Sequence, residues 1–174
     1  MEIYDTYIQQ TDYDGTDYTQ GDVVNLRTAF NIVCTDIPFK VFPEPKDYST
    51  LNWPGEDGLD IYVPKHVKIK EYDIEVEFLY VGTEETIHTD LVNFCKFLYG
   101  RNSGAVGALL VLYNENTRIA RKDVVVKEID DDVFYVTKAD VDAIAKFPVT
   151  FTVCDPATEV TPVYQDKVVK SFNF

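Results

Sequence analysis

The chain has 174 residues, with 30 acidic against 16 basic side chains, three cysteines and a single tryptophan. That length suits one domain over residues 1–174 with its own core, and 45% apolar residues place it well outside the composition of disordered chains despite a net charge of −14. The charge argues against direct nucleic-acid binding, because the longest basic cluster is Arg118, Arg121 and Lys122, with acids close by.

The acid excess is uneven. Residues 1–60 carry 12 acids and 3 bases, a net −9, against a net −5 over residues 61–174. The start, MEIYDTYIQQTDYDG, has neither a basic nor an apolar leader segment, so no signal peptide is expected and the reading is cytosolic. No membrane association is expected either, since the longest apolar run, Ala105 to Tyr113, is about half of what a membrane helix requires. Cys34, Cys95 and Cys154 leave an odd thiol under any pairing and form no C-x-x-C, so they read as small buried hydrophobes.

In chain order, residues 1–21 are rich in Tyr, Asp and Thr, lack a sustained apolar period and read as an amino-terminal arm or loop. Val23 to Cys34 fits one strand imperfectly and a short helix no better; a strand is the reading adopted. Residues 35–60 hold four prolines and the turn pairs Pro54-Gly55 and Asp57-Gly58, which predicts a long proline/aromatic loop. Phe39, Phe42, Tyr48 and Trp53 give that loop too much apolar surface to leave in water, so these four are the candidate subunit-interface residues. For Trp53 within LNWPGEDG two readings stand side by side, an anchor in a neighbouring subunit or a ring folded back on its own core.

Tyr72, Ile74, Val76, Phe78 and Tyr80 alternate with acids, the pattern of a half-buried antiparallel strand. Upstream, Ile61, Val63, Val67 and Ile69 are in the opposite phase, which predicts a bulge or short turn at Lys70 and Glu71. A helix follows at about residues 84–99, with Thr83 as N-cap, Ile87, Leu91, Phe94 and Leu98 as its apolar stripe, and Gly100 as its stop. Its other face, including Lys96, is polar, so it should lie across one side of a sheet.

Ala108–Tyr113 and Arg118–Ile129 read as a hairpin around Asn114-Glu115-Asn116-Thr117. Asp130 to Asp132 should turn, Val133 to Val136 should form a short strand, and Ala143 to Val153 a long alternating one. Pro148 within that strand argues for an edge position or a bulge. Residues 163–174 add a last strand or a tail. The fold class is therefore α+β, mainly antiparallel β, a sandwich or partly open barrel with one flanking helix.

Chemistry-bearing patterns find bland explanations. RNSGAVG (101–107) follows a helix, precedes a strand and lacks the lysine of a phosphate loop, so it reads as a connector. Asp12-x-Asp14-Gly15-x-Asp17 has Val23 where a calcium loop needs its bidentate glutamate. His88 and Cys95 sit seven positions apart on one helix, about 10 Å by rise alone, too far for proton transfer. No catalytic residue, metal, cofactor or small-molecule substrate is expected.

The ordered run EDGLDIYVP, VKIKEYDIEVEFLYVG, TEETIHTDLVNFCKFLYG, LLVLYNENTRIARKDVVVKEI and VTFTVCDPATEV resembles the distal-tail and tail-tube proteins of tailed bacteriophages, particularly those of Bacteroides-type bacteria and their prophages. The resemblance spans roughly Glu56 to Pro162. It implies a β-sandwich or barrel with a helix on its flank and a hairpin or loop that ties subunits into hexameric rings. It further implies a non-enzymatic virion component, assembled in the bacterial cytoplasm, whose partners are its own copies and other tail proteins. The alternative from the residues is a soluble β-sandwich binding module with the proline/aromatic loop as its lip.

Overall fold

A computed structural model describes residues 4–34, 36–130 and 145–174, and the backbone of 135–136. Among these the elements run β1 (Thr6–Tyr13), β2 (Tyr18–Asn25), α1 (Leu26–Phe30), β3 (Ile32–Val33), β4 (Ser49–Leu51), β5 (Asp60–Tyr62), β6 (Tyr72–Tyr80) and α2 (Ile87–Leu98). They continue with β7 (Leu109–Asn114), β8 (Ile119–Ile129), β9 (Tyr135–Val136), β10 (Ala145–Asp155), β11 (Thr161–Gln165) and β12 (Val168–Asn173). The main sheet has the order β2-β1-β7-β8-β10-β6-β3, with β9 pairing on β10, and the pairings are antiparallel. It curls into a half-barrel, so the expected α+β, mainly antiparallel class holds.

The alternating strand at residues 72–80 forms as its period demands. Tyr72, Ile74, Val76, Phe78 and Tyr80 are buried while the acids between them face out. On that inner face Phe78 meets Phe94 of α2 edge-on at 5.3 Å, Phe147 at 5.9 Å and Phe151 at 6.3 Å. Each fully buried ring contributes roughly 1.5–3 kcal/mol from apolar burial, and aromatic pairing adds about 0.5–1.5 kcal/mol per contact. The helix therefore lies across this face, with Phe94, Phe97 and Leu98 buried and Ile87 and Leu91 half-buried against the same core. It begins later than its capping pattern suggests: Thr83 to Thr86 form a turn, and Thr86, at the N-cap position, makes no side-chain cap bond. The Thr86 hydroxyl is 2.8 Å from the Tyr80 hydroxyl, which donates to Asp90 at 2.8 Å.

The opposite face carries a second, smaller core. Tyr7, Val111, Tyr113 and Ala120 of the sheet are covered by Val160 and by Val169 and Phe172 of the β11–β12 hairpin. Asp166 and Lys167 join that hairpin with positive φ at both positions, the geometry of a two-residue type I′ connection. The carboxyl-terminal segment is thus a hairpin that seals the second face.

Several expectations need correction. Residues 6–13 of the supposed arm are strand β1, between β2 and β7, and Thr6 to Thr11 are buried without interruption. Apolar periodicity fails there because polar side chains are buried with partners. The Gln9 amide donates to the Gly21 carbonyl at 2.8 Å, the Gln10 amide donates to the Phe97 carbonyl at 2.7 Å and to Asn102 Oδ1 at 2.8 Å, and the Thr11 hydroxyl donates to the Leu109 carbonyl. Val23 to Cys34 is not one strand but the end of β2, α1 and β3. Asn25 Oδ1 accepts from the Arg27 N–H to start the helix, and Asn31 ends it at φ 55°.

Of the two readings for Pro148 the edge fails, since its strand lies between β6 and β8, whereas the irregularity is present as a register shift against β8 at Thr150 and Phe151. The Pro148 carbonyl accepts from Asp130 just past the end of β8, so the missing N–H falls where that ladder stops. Ile61 to Ile69 is no continuous strand. β5 has only three residues, Val63 and Val67 are exposed, and Ile69 forms an isolated bridge with Pro45. Cys34 is buried, with burial foremost holding its thiol up at about 11, but Cys154 is exposed and is no core residue. The expected turn and strand over 130–136 fall mostly on residues outside the described ones, as does Ala143; Tyr135–Val136 is strand β9.

Candidate subunit interface

Between β3 and β6 the chain leaves the sheet. Phe39 stays inside it, 8% exposed and within the main core, with the Arg121 guanidinium 5.9 Å from its ring centroid. Beyond it the chain turns outward. Phe42 is 93% exposed, Val41 and Leu51 are exposed, and Trp53 retains 53% of its surface in solvent; Tyr48 is half-buried. Of the four sequence-predicted interface residues, Phe42 and Trp53 are available to a partner, Tyr48 partly so, and Phe39 is committed to its own core. Trp53 does not fold back into that core; its carbonyl accepts from Glu56 N–H at 3.3 Å across the turn.

The outward segment is organised around a β4–β5 hairpin paired as Ser49 with Tyr62, Thr50 with Ile61 and Leu51 with Asp60. All six of these residues are exposed. Of the sixteen exposed large apolar residues among the described ones, nine lie between Val41 and Val67. Such side chains scattered singly are ordinary on a soluble protein, whereas contiguous exposed patches mark interaction surfaces, so this stretch is the candidate one. A two-stranded hairpin is also marginally stable alone in water, so packing against another surface would add order as well as burial.

A second feature was not legible as a site. Beside the core-facing stripe of α2 runs an open groove of about 940 Å³, lined by Ile87, Leu91, Val92 and Tyr99 and by Ile129 of β8. His88, Lys96 and Arg101 stand at it, and no carboxylate is among its described lining residues. The sequence signal was present but secondary: His88, Val92, Cys95 and Tyr99 recur at helical spacing beside the main stripe. His88 and Cys95 therefore share a face, as part of this groove.

The remaining motifs are absorbed by local structure. Asp14 Oδ1 accepts from the N–H groups of Thr16 and Asp17, which closes the β1–β2 turn and holds its carboxyl below the usual range. RNSGAVG connects α2 to β7 as read from sequence. Asn114 Oδ1 accepts from Asn116 and Thr117, fixing the β7–β8 turn. No helix among the described residues is long and apolar enough to cross a membrane.

On β8 the register against β7 slips at Lys122-Asp123, where Asp123 takes φ 52°. Lys122 shares the second face with Ala120, and the bulge returns Val124 to the main core; Lys122 is only 7% exposed, its ammonium 3.2 Å from Asp123 and 3.3 Å from Asp155 and over the rings of Tyr18 and Phe174. Burial alone would lower its pKa; hydrogen bonds to Tyr18 and Asp123 outweigh it and hold the ammonium charged. The cluster joins three strands to the carboxyl-terminal residues.

No family model matches the chain, and no curated protein matches it. Among solved structures the chain is similar to SPP1 Dit (gp 19.1), described as a paradigm of hub adsorption apparatus in phages infecting Gram-positive bacteria. The identity is 14% and the TM-score 0.47, covering 86% of this chain. The chain spans about half the length of that structure, 50% of it.

Proposed function

We propose that this protein is a non-enzymatic structural component of a phage or prophage tail that self-associates through its exposed excursion and sheet edges. The observation that carries the reading is the concentration of exposed apolar side chains from Val41 to Val67, built on a hairpin that projects from a half-barrel with its own closed core. The protomer does not need these side chains for folding, and a partner would bury them. The strand-by-strand order of the segments from Glu56 to Pro162, which resembles tail proteins, supplies the class of assembly.

A hairpin that docks on a different patch of the next protomer makes a heterologous contact, which closes into a ring if its rotation closes. A net charge of −14 suits a conduit for DNA: a ring with acids toward its lumen repels phosphates and lets the duplex pass without sticking. A ring with a basic lumen would contradict that role. The test is negative-stain microscopy and light scattering of the purified protein, with antibody labelling of tails in phage particles from the producing cells. Rings and tail labelling are expected; a strict monomer and unlabelled tails would refute the reading.

A further inference from the structure

We propose that the groove along α2 is the receptor for the β4–β5 hairpin of a second copy of this chain. The inference rests on the self-assembly reading and specifies its contact.

Two observations select this pairing. The first is shape and polarity. The groove is largely apolar, about 940 Å³ in volume and open along one side, and the hairpin tip offers Leu51, Trp53 and Leu59, all exposed. Tryptophan seated in an apolar pocket with arginine beside it is the composition that dominates binding energy at protein interfaces. The second is charge. The tip from Asn52 to Asp60 holds Glu56, Asp57 and Asp60 and no basic residue, whereas the groove presents the cations of Lys96 and Arg101. In a chain with nearly twice as many acids as bases, most surfaces repel this tip. Among its described lining residues this groove has basic side chains and no carboxylate, so there the tip meets no like charge.

Two experiments on the full chain test it. In the first, Lys96→Glu with Arg101→Glu, and separately Glu56→Lys with Asp57→Lys, change only exposed side chains. Each pair should weaken assembly by about tenfold or more in sedimentation velocity, and all four changes together should restore it. In the second, Asn52→Cys in a Cys154→Ser background is oxidised gently and mapped by mass spectrometry. A disulfide between position 52 of one chain and Cys95 of another is expected.

The outcomes separate the two levels of the reading. Loss of assembly with the hairpin pair alone, or a disulfide formed within one chain, overturns the groove as receptor and leaves self-assembly standing. Assembly unchanged in every variant does the same. A wild-type protein that never associates overturns both. Occupation of the groove by the segment that follows Ile129 in the same chain would appear as cross-linker-bridged peptides within one protomer, and also overturns the proposal.

Discussion

Lys122 Nζ donates to the Tyr18 hydroxyl at 2.7 Å and lies 4.3 Å from the centroid of the same ring. That hydroxyl in turn donates to Asp123 Oδ2 at 2.8 Å, so one cation ties β2 and β8 together, and through Asp155 it reaches β10. Replacing it with an apolar side chain of similar length leaves Asp123 and Asp155 without their shared partner. Lys122→Met should lower stability by about 1–3 kcal/mol in urea denaturation, the range for removing one partner of a buried charged hydrogen bond. No change beyond about 0.5 kcal/mol would mean that Lys122 is buried there without consequence.

Trp53 and Phe78 should respond in opposite ways. Phe78 is 1% exposed and touches three other rings, so Phe78→Ala should cost about 3–5 kcal/mol and change the near-ultraviolet circular dichroism. Trp53→Ala should alter protomer stability by less than about 0.5 kcal/mol yet weaken association, because its ring serves a partner. Unfolding of the Trp53 variant would return that ring to the core.

Acid should destabilise the fold. Asp155 has its carboxyl held low: burial pushes it up, but bonds from the Thr158 hydroxyl, the Thr158 and Ala157 N–H groups and Lys122 prevail. Asp90 is likewise low, with burial outweighed by Asn31, Tyr80 and Thr86. A folded pKa below the unfolded value of about 3.9 gives stability that is fully present above that value and is lost as pH falls through the folded one. The urea midpoint should therefore drop as pH is lowered from about 5 toward 2, and Asp155→Asn with Asp90→Asn should flatten that slope. A slope unchanged in the double variant would contradict the assignment.

The loop from α2 to β7 supplies a backbone test. A Cβ at Gly107 would stand 2.4 Å from the Thr11 carbonyl oxygen, a main-chain atom inside the sheet, whereas Gly104 faces open space with φ +76°. Gly104→Ala should cost only its backbone strain, about 1 kcal/mol, and Gly107→Ala should cost clearly more in thermal or urea denaturation.

The β6 strand and the α2 helix were legible because one face of each is apolar and the other polar, so period reported burial directly; the β7–β8 hairpin was legible from the polar Asn114–Thr117 turn, although β7 is buried on both faces. β1 was not legible, since Gln9, Gln10 and Thr11 are buried with hydrogen-bond partners supplied by residues far along the chain. Pro148 was half informative: its strand is central and not an edge, but the register against β8 shifts at Thr150 and Phe151 just beyond it, and that ladder ends beside it. At the candidate interface, composition singled out a loop that is largely exposed but could not say which of its aromatics turn inward. Phe39 and Phe42 are three residues apart, one in the core and one almost wholly in solvent. The groove was hidden because its cations made that helix face read as ordinary solvated surface.

The most direct test of self-assembly through the excursion is sedimentation velocity of the wild-type protein and Trp53→Ala, compared over a hundredfold range of concentration. A discrete closed oligomer that forms with rising wild-type concentration and is weakened in the variant is predicted. A wild-type chain that remains monomeric throughout that range, with the variant indistinguishable from it, would contradict self-assembly.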